Sequence, residues 1–166
     1  MAETNGTERI CCFTGHRKVA DSHAEKLCYL IDDELEALIA EGYTVFRTGG
    51  AVGFDTLAAL RVLRMKMKYS FITLELCLPC KDQNVKWLDY DKKFYAFCLK
   101  RADRIRYVGE KYTSNCMFAR NRMLVDGSSV CIGYCDPAAR SGGSRYTLGY
   151  AKEQGVECRN LYFKVK

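Results

Sequence analysis

Residues 43–55, YTVFRTGGAVGFD, set out an apolar strand that runs into a glycine-rich loop and then into a helix. Tyr43 to Arg47 is a short apolar run rich in β-formers, and Thr48-Gly49-Gly50 ends it. The helix that follows is expected from about Asp55 to Met67, with Leu57, Leu60, Leu63 and Met67 recurring at helical spacing. A strand passing through glycines into a helix is the opening move of an α/β unit. The glycines matter because they let the backbone take φ > 0 and approach a ligand closely.

The same grammar extends in both directions. Upstream, Arg9 to Thr14 (RICCFT) reads as a buried strand ending at Gly15. Ser22-x-x-Glu25 reads as a capping box opening a helix with Leu27, Leu30, Ile31, Leu35, Leu38 and Ile39 on one face, stopped near Gly42. Downstream, Phe71 to Leu78 is a strand closed by Pro79, followed by a helix from about Leu88 to Arg101 and a strand from Arg104 to Val108. Asn115 to Asp126 is a helix ended by Gly127, and Ser129 to Tyr134 a strand. Ser144 to Gln154 is a helix stopped by Gly155, and Glu157 to Phe163 is the last strand. Strands alternating with helices imply a mostly parallel sheet covered on both faces, a three-layer α/β/α sandwich. In such sheets ligands bind outside the carboxyl ends of the strands.

Length and composition agree with that frame. The chain has 166 residues, 48% of them hydrophobic and 28% charged, which suits one globular domain. Residues 1–8 are expected to be a flexible polar leader and 9–166 the domain. The leader has no apolar segment of signal-peptide type, and no stretch approaches about 18 consecutive apolar residues. A cytoplasmic protein without membrane contact is therefore expected. The ten cysteines sit mostly in apolar runs and read as free buried thiols. Cys77-x2-Cys80 and Cys131-x3-Cys135 have spacings a zinc site could use, but the favoured reading is that no metal is bound and that Cys77 and Cys131 are strand-core residues. A formal net charge of +6 suits an anionic ligand. No dense basic run with interleaved aromatics marks a nucleic-acid surface.

Three strand-to-helix loops carry the candidate chemistry: Thr14-Gly15-His16-Arg17; Thr48-Gly49-Gly50-Ala51-Val52-Gly53-Phe54-Asp55; and Ser141-Gly142-Gly143-Ser144 with Thr147 a turn on. Helix N-termini offer unpaired N–H groups and the positive end of the helix dipole. Arg17 is placed to pair with a phosphate. Asp55 either holds a ribose hydroxyl or caps its helix. Arg120-Asn121-Arg122 lies within a helix, where charged residues usually face solvent. Trp87 and Tyr90 could stack on a base, but core packing is the favoured reading for both. Neither Gly-Gly loop is a Walker A motif or a G-x-G-x-x-G fingerprint.

Taken together, Phe13-Thr14-Gly15-His16-Arg17, Gly49-Gly50-Ala51-Val52-Gly53-Phe54-Asp55, Gln83, Trp87, Asn121-Arg122, Val125-Asp126, Gly142-Gly143, Thr147 and Tyr150-Ala151 resemble the YpsA-like branch of the SLOG superfamily, over roughly Ile10 to Ala151. The resemblance implies a Rossmann-like fold and a nucleotide-related ligand across the two Gly-Gly loops. Relatives include LOG-type phosphoribohydrolases and the DNA-binding DprA proteins, and oligomerisation occurs in the superfamily. The LOG-type hydrolases carry acidic residues just after a Gly-Gly-x-Gly-Thr motif; here Thr147 is followed by Leu148, Gly149 and Tyr150, and Arg145-Tyr146 replaces the compact glycine.

The expected site is thus Thr14, Gly15, His16, Arg17, Gly49, Gly50, Ala51, Gly53, Asp55, Arg120, Asn121, Gly142, Gly143, Ser144 and Thr147. No cofactor is required. The first reading is a sensor, carrier or sequestering domain for a nucleotide-derived ligand. Two alternatives stay open: hydrolysis of a nucleoside monophosphate with Asp55 as the acid–base group, Asp126 and Asp136 being remoter carboxylates, and single-stranded DNA binding.

Overall fold

In the computed structural model, which describes residues 8–165, six strands form one sheet in the order β4-β3-β2-β1-β5-β6, and every described pairing is parallel. In chain order the elements are β1 (Arg9–Gly15), α1 (Asp21–Ala40), β2 (Tyr43–Thr48), α2 (Phe54–Lys66), β3 (Thr73–Cys80), α3 (Asp89–Arg101), β4 (Arg104–Gly109), α4 (Cys116–Val125), β5 (Val130–Tyr134), α5 (Gly143–Glu153) and β6 (Glu157–Asn160), closed by a 3₁₀ turn at Leu161–Lys164. The fold is the Rossmann-like α/β/α sandwich. The flexible leader expected at residues 1–8 lies outside the described residues except for Glu8, whose carboxylate accepts two hydrogen bonds from Arg104 on β4.

Helices α1, α2 and α3 cover one face of the sheet, and α4 and α5 the other. The four inner strands β1, β2, β3 and β5 are buried on both faces, as parallel sheets require, while the edge strands β4 and β6 are largely half-buried or exposed. Consecutive strand residues therefore enter different cores. Cys11 and Phe13 on β1 join the larger one beneath α1, α2 and α3, with Phe46, Phe54, Leu74 and Leu76. Cys12 joins the smaller one beneath α4 and α5, with Cys77, Leu124, Val125, Cys131 and Ala151.

Four local readings are corrected. Helix α1 begins at Asp21 with Ala20 as its N-cap and no side-chain cap, so Ser22 lies inside the first turn and the capping box does not form. On α2 the buried stripe is Phe54, Ala58, Ala59, Val62 and Met65, whereas Met67 is 89% exposed. A repeat of three residues drifts around a helix of 3.6 residues per turn. Leu57, Leu60 and Leu63 thus fall on its flanks, half-buried, and the alanines meet the sheet.

Strand β3 runs through Pro79 to Cys80. Pro79 has no register partner on either side: β2 pairs only as far as Leu76, and the β4 ladder pairs Leu78 and Cys80 but not Pro79. The last strand stops at Asn160, not Phe163, because the Asn160 side chain turns the chain. Its Oδ1 accepts from the N–H groups of Cys135 and Tyr162, and its Nδ2 donates to the Cys135 carbonyl.

Strand order reverses between β1 and β5: β2, β3 and β4 lie to one side, β6 to the other. The loops leaving β1 and β5 therefore diverge, and an open crevice forms at this switch point.

Candidate functional site

A cavity of about 870 Å³ occupies that crevice, at the carboxyl edge of the sheet. Eleven of the fifteen expected site residues line it: Thr14, Gly15, His16, Arg17, Ala51, Asp55, Arg120, Asn121, Gly142, Gly143 and Ser144. The remaining four shape the walls from behind.

The β1 loop is locked to the start of α2. A Cβ on Gly15 would stand 2.5 Å from the Phe54 ring, and one on Gly53 would stand 2.2 Å from the Arg17 carbonyl oxygen. Gly53 also has φ +82°, a conformation that side chains disfavour. Phe54 N–H donates to the His16 carbonyl at 3.1 Å. The His16 ring then reaches across to the β5–α5 loop. Its Nε2 accepts the Asp136 N–H at 2.7 Å, so that nitrogen carries no hydrogen and Nδ1 does. Nδ1 faces Ser144 Oγ at 3.4 Å. The imidazole is a strut between β1 and α5, held in one tautomer.

Beneath the second loop lie two buried charges. Arg120 and Asn121, both expected in the site, are each 5% exposed although charged residues within a helix usually face solvent, and only Arg122 of the trio is exposed. Arg120 Nη1 donates to the Gly49 carbonyl and its Nε to Asn121 Oδ1 at 2.8 Å. A Cβ on Gly49 would stand 2.6 Å from Arg120 Nη1 and 2.7 Å from Asp55 Oδ2, so only glycine lets both groups pack there.

Asp55 sits in the first turn of α2 and is not its N-cap, which is Gly53. Its carboxylate accepts the Ala51 N–H at 3.3 Å. Burial pushes the carboxyl up to about 6; the nearby Arg120 charge and the Ala51 N–H offset only part of that rise. Burial likewise lowers Arg120 from its ordinary value, against the opposing pull of Asp55.

The third loop presents a free helix end. Helix α5 starts after Gly142, at φ +124°, with no side-chain cap. Thr147, fully buried, donates its hydroxyl to the Gly143 carbonyl at 2.7 Å and fixes the turn from inside. Gly50, at φ +67°, packs where a Cβ would meet Leu78 at 2.4 Å.

Aromatic side chains of α4 and α5 also line the cavity. Phe118 of α4 and Tyr146 of α5 meet edge to face with centroids 4.8 Å apart, and Tyr146 lies parallel to Tyr150 at 6.5 Å. Phe118 is 46% exposed. Trp87 packs against the core on Tyr95 at 5.1 Å, in line with the favoured reading, whereas Tyr90 is exposed on a separate patch between α2 and α3. The overlooked signal was the four-residue spacing of Tyr146 and Tyr150, which puts both on one helix face directly after Gly142-Gly143.

The remoter carboxylates have other work. Asp126 accepts from Tyr150 Oη at 2.6 Å, and Asp136 closes its own turn by accepting the Ala138 N–H. The cysteine pairs named as zinc candidates do not converge. Cys77 on β3 and Cys131 on β5 are separated by β2 and β1, about 14 Å at ordinary strand spacing. Among the described residues no three His, Cys, Asp or Glu side chains gather as a metal site.

Fold and cavity together define a Rossmann-like α/β domain with an open crevice at the switch point of a parallel sheet. The model of the YspA SLOG family matches residues 11–163, and the chain belongs to that family. Among its relatives, a UPF0398 protein of Bacillus cereus strain B4264 is 26% identical over 141 residues, covering 83% of this chain and 72% of the relative. One from Bacillus thuringiensis strain Al Hakam is 25% identical over 133 residues, covering 78% and 72%. Among solved structures, DNA processing protein A of Helicobacter pylori, described for its single-stranded DNA binding mode, superposes with a TM-score of 0.64 at 19% identity, over 94% of this chain and 67% of that one. TM1055 superposes with a TM-score of 0.55 at 15% identity, over 90% and 72%. These likenesses establish the fold. No described helix is long and apolar enough to cross a membrane.

Proposed function

We propose that the chain binds a nucleotide or nucleotide-derived anion in the switch-point cavity, as a sensor, carrier or sequestering domain. One observation carries this reading: the same cavity joins an uncapped helix N-terminus to an aromatic wall. The first N–H groups of α5, with Arg17 at the rim, suit a phosphate. Phe118 and Tyr146 offer π-faces to a base in the same cavity. The volume lies within the range of small-ligand pockets. No cofactor is needed for binding. In this reading the protein works in the cytoplasm, where its ten free cysteines stay reduced, and self-association is compatible with it.

The test is thermal unfolding against nucleoside monophosphates, ADP-ribose and cyclic dinucleotides. A specific ligand at 100 times its Kd adds about 2.7 kcal/mol. For a domain of this size that is a rise of roughly 5–10 °C. A shift confined to related compounds supports the reading; none with any compound overturns it.

One observation favours hydrolysis as a second reading: Asp55 lines the cavity with its carboxyl raised to about 6, suited to giving or taking a proton near neutrality. Release of free base from a nucleoside monophosphate, lost in Asp55→Asn, would establish it. The Helicobacter neighbour motivates a third, single-stranded DNA binding, which requires affinity that falls steeply with salt.

A further inference from the structure

On the α4–α5 face of the sheet, three thiols stand side by side on three adjacent strands. Cys12 on β1 is in register with Cys131 on β5, and Cys131 is in register with Cys158 on β6. All three share the smaller core. Their access to solvent differs sharply. Cys12 and Cys131 are fully buried, whereas Cys158 is half-buried and lines a second cavity, about 600 Å³, with Arg145, Leu148, Lys152 and Phe163. This cavity is separate from the proposed nucleotide site in all but Arg145 and Gly149.

We propose that Cys158 is a peroxide-reactive thiol and that Cys131 resolves its oxidised form as an intramolecular disulfide. The geometry supports both roles. In-register residues on neighbouring strands have Cα atoms about 4.8 Å apart, inside the span of a disulfide. Strand β6 has four residues and pairs only with β5, at the sheet edge, so one strand alone fixes the Cys131–Cys158 register. Cys12 lies two strands from Cys158, about 10 Å away, and cannot substitute.

The electrostatics point the same way. The neighbouring Cys131 thiol and the Lys152 charge hold Cys158 down to about 7, against burial and the Glu157 carboxylate. Glu157 is itself engaged by Arg159 Nε. Cys131 is raised well above the ordinary thiol range and stays protonated.

The chemistry balances with hydrogen peroxide as oxidant. The Cys158 thiolate attacks one peroxide oxygen, the O–O bond breaks, and the leaving hydroxide takes a proton to become water. Cys158 is now a sulfenic acid. The Cys131 sulfur attacks the Cys158 sulfur, the S–O bond breaks, and hydroxide leaves with the Cys131 thiol proton as a second water. Two thiols and one peroxide give one disulfide and two waters.

Cys28 is the internal control, since it is the other half-exposed cysteine and burial raises it above 9.0. The Cys131 thiol and the Lys152 charge favour the Cys158 thiolate, while burial disfavours that of Cys28. Cys158 should therefore react with iodoacetamide several-fold faster than Cys28.

The experiment treats the full chain with hydrogen peroxide at neutral pH and maps the products by mass spectrometry. A Cys131–Cys158 disulfide is expected, with faster alkylation of Cys158 than of Cys28 in the untreated protein. Cys131→Ala should stop at a Cys158 sulfenic acid that dimedone traps, and Cys158→Ser should form neither product. A Cys158 that stays reduced in the native chain, a disulfide joining other residues, or Cys28 alkylated as fast as Cys158 overturns the proposal.

Discussion

Replacing Asp55 with Asn removes one buried titration from the site while keeping its shape. The folded chain holds the Asp55 proton to about pH 6, whereas the ordinary carboxyl releases it at 3.8. Between those values the unfolded chain binds fewer protons than the folded one, so this group lowers stability as pH rises. Its cost is absent below 3.8 and complete above about 6, where it reaches about 3 kcal/mol. Between about pH 4.5 and about pH 7 the change is about 2 kcal/mol. Unfolding free energies from urea titrations of both proteins at these two pH values isolate the effect, because all other groups cancel in the difference. The stability of Asp55→Asn relative to the native chain should improve by about 2 kcal/mol on going to the higher pH. A difference that stays flat across the window would mean that Asp55 titrates alike in both states. The argument that burial outweighs Arg120 and the Ala51 N–H would then be wrong.

Other outcomes follow from single contacts. Arg47, buried on β2, donates to Glu75 on β3 at 2.6 Å and to the Asp126 carbonyl at the end of α4 at 2.6 Å. Arg47→Met should cost about 3–5 kcal/mol in chemical denaturation by stranding Glu75, and Arg47→Met with Glu75→Leu should recover much of that loss. Gly53→Ala combines a positive φ with a blocked Cβ, and should lower stability by more than about 2 kcal/mol in the same assay. Phe118→Ala should leave the unfolding midpoint nearly unchanged. It should weaken binding of whichever nucleotide gives the thermal shift by roughly 5–100-fold, the worth of one stacked base; unchanged affinity would remove the aromatic wall from the site.

The strand–helix alternation was legible because nearly every element carries its own boundary: glycines end β1, β2, α1, α4 and α5 within a residue or two. The expectations that missed share a cause. Leu57, Leu60 and Leu63 looked like a core stripe, yet the face against the sheet belongs to Ala58, Ala59 and Val62, because a helix on a parallel sheet can approach closely where its side chains are small. Ser22 matched a capping pattern but stands two residues past the N-cap, too late to act.

In the site, the glycine loops stood out because their backbone demands are written in residue type. Arg120 was among the candidates, but its burial was not legible, since an arginine in a helix looks solvent-facing until the loop that buries it is folded over it. Nor were Phe118 and Tyr146, which come from different helices and meet only through the sheet order.

The lock between the β1 loop and the first turn of α2 bears on how this family can vary. Gly15 fits against the Phe54 ring, Gly53 against the Arg17 carbonyl, and the Phe54 N–H ties down the His16 carbonyl. A side chain gained at position 15 is tolerable only where position 54 has shrunk, and any residue but glycine at 53 demands a different path for residues 16–17. Relatives should therefore change positions 15 and 54 together or not at all. Diversity of ligand choice should accumulate instead on the aromatic lining, in Phe118, Tyr146 and Tyr150, where substitutions meet no backbone.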